Sequence, residues 1–428
     1  MPSSLPIPLS RLAGRTSEPP ISWLMKLTLE HPGIISLAAG FTDNASLPLH
    51  ETAEIVQALL HDSAVGRPAL QFGSTAGDPE LRTATLQRLA ELEPESGIGT
   101  DASWLERTLI THGSQQLLYL TTEALCDEGD IVIVEDPTYF VYLSILQSRG
   151  IRARGVRLGP DGVDTDHLRE ILESIRAAGE LHRVKLLYLV SYFQNPSGIT
   201  CSAVHKRAAL EILAEFESIS RNRIYLLEDA AYRELSFTGE TVPSALCMGS
   251  DRVIYAGTYS KPFATGVRVG FGILPPELAL IILRLKGNHD FGTAHFLQRI
   301  VAKALTTGAY TRHLVELRAR YAEKARLLFT ALRESLPTNV EFVPPDGGLY
   351  IWASLPKGTD AGKESVIFRK ALEAGVLYVP GALCYAEDPS RPIPVHQMRI
   401  SFGGANENDF AQAAHRLAAG LAASGTRA

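Results

Sequence analysis

The stretch Ile224-Tyr225-Leu226-Leu227-Glu228-Asp229-Ala230-Ala231-Tyr232 decides the fold. Four apolar residues run without alternation, end on two carboxylates, and lead to a tyrosine. An unbroken apolar run of that length fits a strand buried on both faces. The pattern recurs at Thr108–Thr111, Ile131–Val134, Val184–Val190, Val253–Ala256 and Val269–Ile273, with helix-periodic stretches between. That alternation predicts an α/β fold whose mainly parallel sheet is covered by helices on both faces.

Several runs end in polar or small residues: His112-Gly113-Ser114-Gln115, Asp136-Pro137-Thr138-Tyr139, Gln194-Asn195-Pro196-Ser197-Gly198, Glu228 to Tyr232, and Gly257-Thr258-Tyr259-Ser260-Lys261. In open α/β sheets the ligand crevice lies outside the carboxyl ends of the strands. The five ends are therefore expected to converge on one site. Past residue 275 the pattern changes. It predicts a long helical stretch from Pro276 to Leu336, then strands at Val340–Val343, Leu349–Ser354, Val376–Val379 and Gln397–Ser401, and a last helix after Asn406. This is a second, smaller α+β domain. The expected division is 1–33 as arm and helix, 34–60 as part of the small domain, 61–290 as the large domain and 291–428 as the C-terminal small domain. Residues 1–20, rich in Pro and Ser, read as a mobile arm, and Ile21–Leu29 as a helix.

Composition narrows the function. The chain has 428 residues, 45% hydrophobic and 21% charged, which describes a globular protein rather than a disordered one. A net charge of −6 argues against a nucleic-acid footprint and a polybasic membrane patch. No run of apolar residues reaches the length of a membrane span, and Met1 to Ser10 does not resemble a secretory signal. Cys126, Cys201, Cys247 and Cys384 stand far apart without a CxxC pair. Neither a disulfide framework nor a metal site is expected, and a cytoplasmic location is.

Each strand end carries chemistry that also has a plainer explanation. A lysine just past a buried strand, Lys261, is desolvated and made nucleophilic, or is a surface lysine. Thr258 and Ser260 beside Lys261 and Arg268 could cradle a phosphate. Asp229 at the end of an apolar run needs a cation or donor, which an arginine, a metal or a protonated heterocycle would supply. Ser114 reads as the N-cap of a helix whose start could bind phosphate. Asn195 sits in a turn with donors and an acceptor, and Tyr139 could stack on a planar ring or simply fill a core.

Taken together, in this order, these motifs resemble the class I/II aminotransferases, the fold-type-I pyridoxal-phosphate enzymes, nearest the aminoadipate, kynurenine and aromatic branch. The resemblance runs from about Ile34 to the C-terminus and includes Met398-Arg399-Ile400-Ser401-Phe402. It implies a large domain with a mainly parallel seven-stranded sheet sandwiched by helices. It implies that Lys261 carries pyridoxal 5'-phosphate and shuttles the substrate proton, and that Asp229 faces the ring nitrogen. Asn195 and Tyr232 would bond the ring hydroxyl, and Tyr139 would stack on the ring. Gly113, Ser114, Gln115, Thr258, Ser260 and Arg268 would hold the phosphate. Arg399 would fork onto the substrate carboxylate, helped by the backbone of Gly40 and by Asn195. The implied partners are an amino acid, a 2-oxo acid and a second copy of the chain, in a homodimer with a shared active site and ping-pong kinetics.

Two positions depart from the family pattern. Relatives place a phosphate-binding tyrosine where this chain has Phe72, in the segment expected to reach the partner subunit. Some aminoadipate-type relatives carry an arginine near Ser22. Without it a strict dicarboxylate preference is not expected. Trp23, Leu24 and Met25 favour an apolar or aromatic substrate side chain, or form helix core. A same-fold lyase, synthase or oxidase would use the same residues. A ligand-sensing regulator would need a DNA-binding part that the acidic chain does not display. A nicotinamide dehydrogenase would need a G-x-G-x-x-G after a strand, which is absent.

Overall fold

The computed structural model describes residues 7–249 and 251–423. The strands in chain order are β1 (Ile35–Ser36), β2 (Thr108–His112), β3 (Ile131–Asp136), β4 (Arg152–Gly159), β5 (Gly162–Val163), β6 (Val184–Val190) and β7 (Tyr225–Asp229). They continue with β8 (Val253–Thr258), β9 (Val269–Ile273), β10 (Tyr350–Ser354), β11 (Val376–Leu377), β12 (Val379–Pro380) and β13 (Gln397–Ser401).

The central sheet has the order β2-β9-β8-β7-β6-β3-β4-β5. Seven strands form the expected mainly parallel sheet, and the eighth, β5, is a two-residue antiparallel edge on β4. Every residue of β7, β8 and β9 is buried, which is why these strands read as continuous apolar runs. Burial of each such Val, Ile or Leu side chain contributes about 1.5–3 kcal/mol. Helices Gly113–Leu125 and Ala203–Ser220 turn Leu117, Leu118, Leu120, Leu210, Leu213 and Phe216 into the same core. Gly272 lets the first of them close on the sheet: a Cβ there would stand 2.6 Å from Leu117 Cδ2.

Strand β9 runs antiparallel to both β2 and β8. It therefore enters the sheet at the edge where the parallel strands leave it. Arg268, one residue before β9, is brought to the same edge as His112, Asp229 and Thr258.

The remaining strands lie apart. Strand β13 pairs with β10 and β12, and β1 pairs in parallel with β11. The chain near residue 35 thus joins the C-terminal strands. The last helix is Phe410–Ala423.

Four local expectations change. Strand β4 was not predicted, because Arg152, Arg154 and Arg157 interrupt its apolar pattern at a sheet edge. Val340–Val343 is not a strand. Only Glu341 bridges to Ser354, and Pro344 and Pro345 remove the next backbone donors. The stretch after Pro276 is three helices, Pro276–Asp290, His295–Thr306 and Ala309–Ser335, broken near Gly292 and at Gly308. The arm holds a short helix, Arg11–Arg15, capped by Ser10, while residues 1–6 lie outside the described range. The predicted helix near Ile21 runs Pro20–Glu30. Among the described residues, no helix is long and apolar enough to cross a membrane.

Candidate active site

The carboxyl edge of the sheet opens into a cavity of about 130 Å³. Gly113, Ser114, Gln115, Tyr139, Asn195, Asp229, Tyr232, Thr258, Ser260, Lys261 and Arg268 all line it. Eleven of the thirteen residues singled out from the sequence thus share one cavity. The other two, Gly40 and Arg399, touch it through hydrogen bonds to Lys261 and Asn195.

Asp229 ends β7, beside Val190 of β6 and Ala256 of β8. Its carboxylate accepts from the Tyr188 hydroxyl at 2.9 Å and from the Ala231 N–H at 3.1 Å. Among the described residues no cation pairs with it. Burial raises its carboxyl to about 6, against the pull of those two bonds.

Lys261 follows β8. Its Nζ donates to the Gly40 carbonyl at 2.7 Å. Burial, with the charges of Arg268 and Arg399, lowers the amine to about 8. About a tenth of the amine is then neutral, and so nucleophilic, at pH 7, far more than for an ordinary lysine.

Also lining the cavity, helix Gly113–Leu125 begins at Gly113 with His112 as its cap residue. Ser114 is therefore inside the first turn and is not the N-cap. The His112 side chain makes no cap bond, while Gln116 Oε1 accepts from the His112 N–H at 2.8 Å, and among the described residues no side chain takes the first-turn N–H groups, which can bind an anion. Arg268 reaches Ser260 Oγ and the Thr265 carbonyl, both at 3.5 Å. It holds φ at +51°, a left-handed conformation that costs about 1–3 kcal/mol in a non-glycine residue. Gly113 leaves the guanidinium its room: a Cβ there would lie 3.0 Å from Arg268 Nη2.

Arg399, on β13, is buried. Its Nη1 donates to Asn195 Oδ1 at 2.7 Å and its Nη2 to the Ala38 carbonyl at 2.6 Å. Its Nε is buried with no partner. The guanidinium lies 4.3 Å from the centre of the Tyr350 ring. Gly40 was expected to assist Arg399. Its carbonyl accepts from Lys261, and that of Ala38 two residues earlier accepts from Arg399. A Cβ at Gly40 would overlap the Tyr350 hydroxyl.

Tyr188 and Tyr350 escaped the sequence reading. Tyr350 Oη meets Tyr232 Oη at 3.0 Å, and Asn195 Nδ2 reaches Tyr232 Oη at 3.5 Å. Both tyrosines sit inside apolar strands, where an aromatic reads as core. The sequence hint for Tyr350 was the pair Gly347-Gly348 just before it. Phe72 is 82% exposed, packs edge-on against Phe291 at 5.4 Å, and lies outside the cavity. Leu24 is core and Trp23 stacks on Phe368, while Met25 and Ile21 line a second cavity of about 330 Å³ with Ala38, Ala39 and Phe41. Ser22 is exposed.

The chain matches the aminotransferase class I and II family over residues 32–417. It is 32% identical over 417 residues to the 2-aminoadipate transaminase of Thermus thermophilus, covering 96% of this chain and 95% of that protein. Its fold is similar to that of a Pyrococcus horikoshii kynurenine aminotransferase solved with PMP (TM-score 0.87, 30% identity, 98% of both chains). It is similar also to the Thermus thermophilus α-aminoadipate aminotransferase LysN solved with N-(5'-phosphopyridoxyl)-L-leucine (TM-score 0.82, 30% identity, 97% of both chains). The donor set here fits the same cofactor. Asp229 is an unpaired buried acid, Lys261 a depressed amine, and Arg268 with an uncapped helix start an anion cradle. This chain therefore belongs to the class I and II aminotransferases, enzymes that use pyridoxal phosphate to act on amino acids and 2-oxo acids.

Proposed function

We propose that the enzyme moves the amino group of an L-amino acid with an apolar or aromatic side chain to a 2-oxo acid such as 2-oxoglutarate, by a ping-pong route. The observation that carries this reading is the meeting of Lys261, Asp229 and Arg268 in one cavity, with buried Arg399 bonded to Asn195 of its lining. In this reading Lys261 Nζ would hold the cofactor and, when free, would accept the substrate Cα proton and carry it between the two reacting carbons. The cofactor supplies the electron sink that lets that proton leave. Asp229 keeps the ring nitrogen protonated, and Asn195 and Tyr232 hold the ring hydroxyl. Tyr139 covers the ring face. Gly113, Ser114, Gln115, Thr258, Ser260 and Arg268 bind the phosphate. Arg399 orients the substrate carboxylate through its guanidinium fork.

The side-chain preference is supported by the apolar second cavity, bounded by the segment Ala38–Phe41 whose carbonyls hold Arg399 and Lys261. No charge stands at exposed Ser22 to read a second carboxylate. The same reading takes the protein as a cytoplasmic homodimer with a shared active site. Leu70, Phe72 and Phe291 form an exposed apolar patch, at 67%, 82% and 58% exposure, of the kind that marks an interface. It also keeps the domain division 34–60 with 291–428 against 61–290, supported by the β1–β11 pairing.

A panel of amino acids assayed with and without a 2-oxo acid tests the proposal. Apolar and aromatic donors should be converted beyond one equivalent per enzyme only when the acceptor is present. Repeated turnover without the acceptor contradicts transamination, and a preference for acidic donors contradicts the side-chain assignment.

A further inference from the structure

Tyr188 lies in the interior of β6, wholly buried, and none of the roles above uses it. Its backbone is fixed on both sides, opposite Val134 of β3 and Leu227 of β7. Its ring packs against Tyr142 with centroids 4.2 Å apart, and Tyr142 Oη is itself held by Thr122 Oγ1 at 3.1 Å. The phenol therefore has little freedom to turn. Its O–H donates to Asp229 Oδ2. The only other donor to that carboxylate among the described residues is the Ala231 N–H, on Oδ1.

We propose that Tyr188 is a positioning residue for transamination: its hydroxyl keeps the Asp229 carboxylate ionised and aimed, and so keeps the cofactor ring nitrogen protonated. The inference rests on the placement of Asp229 against that nitrogen. A hydrogen bond to the charged form of an acid favours that form. Two bases then compete for one proton, the carboxylate and the ring nitrogen. The phenol O–H makes the carboxylate the weaker base, so the proton stays on the ring. Without the bond the proton moves toward Asp229 and the ring draws electrons less well. Burial already drives Asp229 toward its neutral form, so a single lost donor has a large effect. The other titratable groups facing this carboxylate are Glu135 at the end of β3 and Tyr139 in the turn after it. Lys261 and Arg268 line the same cavity.

The test is Tyr188→Phe, which keeps the ring and its packing and removes one oxygen. The holoenzyme is loaded with nitrogen-labelled pyridoxal phosphate, and ring-nitrogen protonation is followed by NMR across pH. The variant should lose protonation at a pH about one to two units lower than wild type, and kcat should fall about 10- to 100-fold with KM within about twofold. Tyr142→Phe, which does not touch Asp229, should leave the nitrogen titration unchanged. An unchanged titration in Tyr188→Phe overturns the inference whether or not kcat falls, because packing alone would then explain the loss. A wild-type ring nitrogen unprotonated at neutral pH overturns instead the underlying placement of Asp229.

Discussion

Lys261 and Arg399 are two cations in one site, and their surroundings give them opposite tasks. The Lys261 amine is lowered to about 8 by burial and by two neighbouring guanidinium groups. Capture of pyridoxal phosphate by the cofactor-free protein requires the neutral amine. The capture rate should rise with pH and level off above a midpoint near 8, in stopped-flow absorbance. A flat profile between about pH 6 and 9 contradicts that assignment. Arg399 instead is held by Asn195 and the Ala38 carbonyl. Arg399→Lys keeps the charge and loses the planar fork, so kcat/KM for amino donors should fall by about 100-fold, with cofactor affinity little changed. These residues were legible in the sequence because each follows an apolar run or sits within a short ordered motif. Tyr188 was not, since its hydroxyl matters only through a partner 41 positions away on the next strand.

At the scale of elements, the decisive feature is the reversed strand β9. It brings Arg268 to the cavity, and Gly270 lets β9 pass close to the start of helix Gly113–Leu125. A Cβ at Gly270 would stand 2.5 Å from both Gly113 C and Ser114 N. Backbone cannot swing aside as a side chain tip does, so Gly270→Ala must push the helix start away. Stability should drop by about 1–3 kcal/mol in denaturant titration, and cofactor dissociation should rise about tenfold or more. A variant with wild-type cofactor affinity contradicts the cradle. Composition and period predicted the six buried strands, since burial on both faces leaves an unmistakable apolar run. Period failed at β4, where an edge position tolerates Arg152, Arg154 and Arg157. It failed again at Val340–Val343, where two prolines end the pairing.

Over the whole molecule, folding buries carboxylates that water would ionise freely. Among the described residues Glu135 has no ion-pair partner, and it accepts from the Val190 N–H and Gln194 Nε2, at 2.8 and 2.9 Å. Burial raises it from 4.5 to about 8. A raised acid binds its proton more tightly in the folded state. Its stabilising contribution is therefore complete below about pH 4.5 and is lost as pH climbs through 8. In the cofactor-free protein Glu135→Gln should remove that slope, up to about 1.4 kcal/mol per pH unit within the window, as read by urea unfolding at several pH values. Parallel pH dependence in variant and wild type contradicts it. The Gln194 amide bonded to Glu135 also reaches the Pro137 carbonyl and Ser197, tying the turn of Tyr139 to the turn of Asn195. The site is thus braced from within the core around the one amine that would carry the cofactor, Lys261. Borohydride reduction of the yellow holoenzyme, followed by peptide mass mapping, tests that attachment most directly. The account predicts a phosphopyridoxyl adduct on Lys261 and none in Lys261→Ala. An adduct on another lysine, or full activity retained by Lys261→Ala, would contradict it.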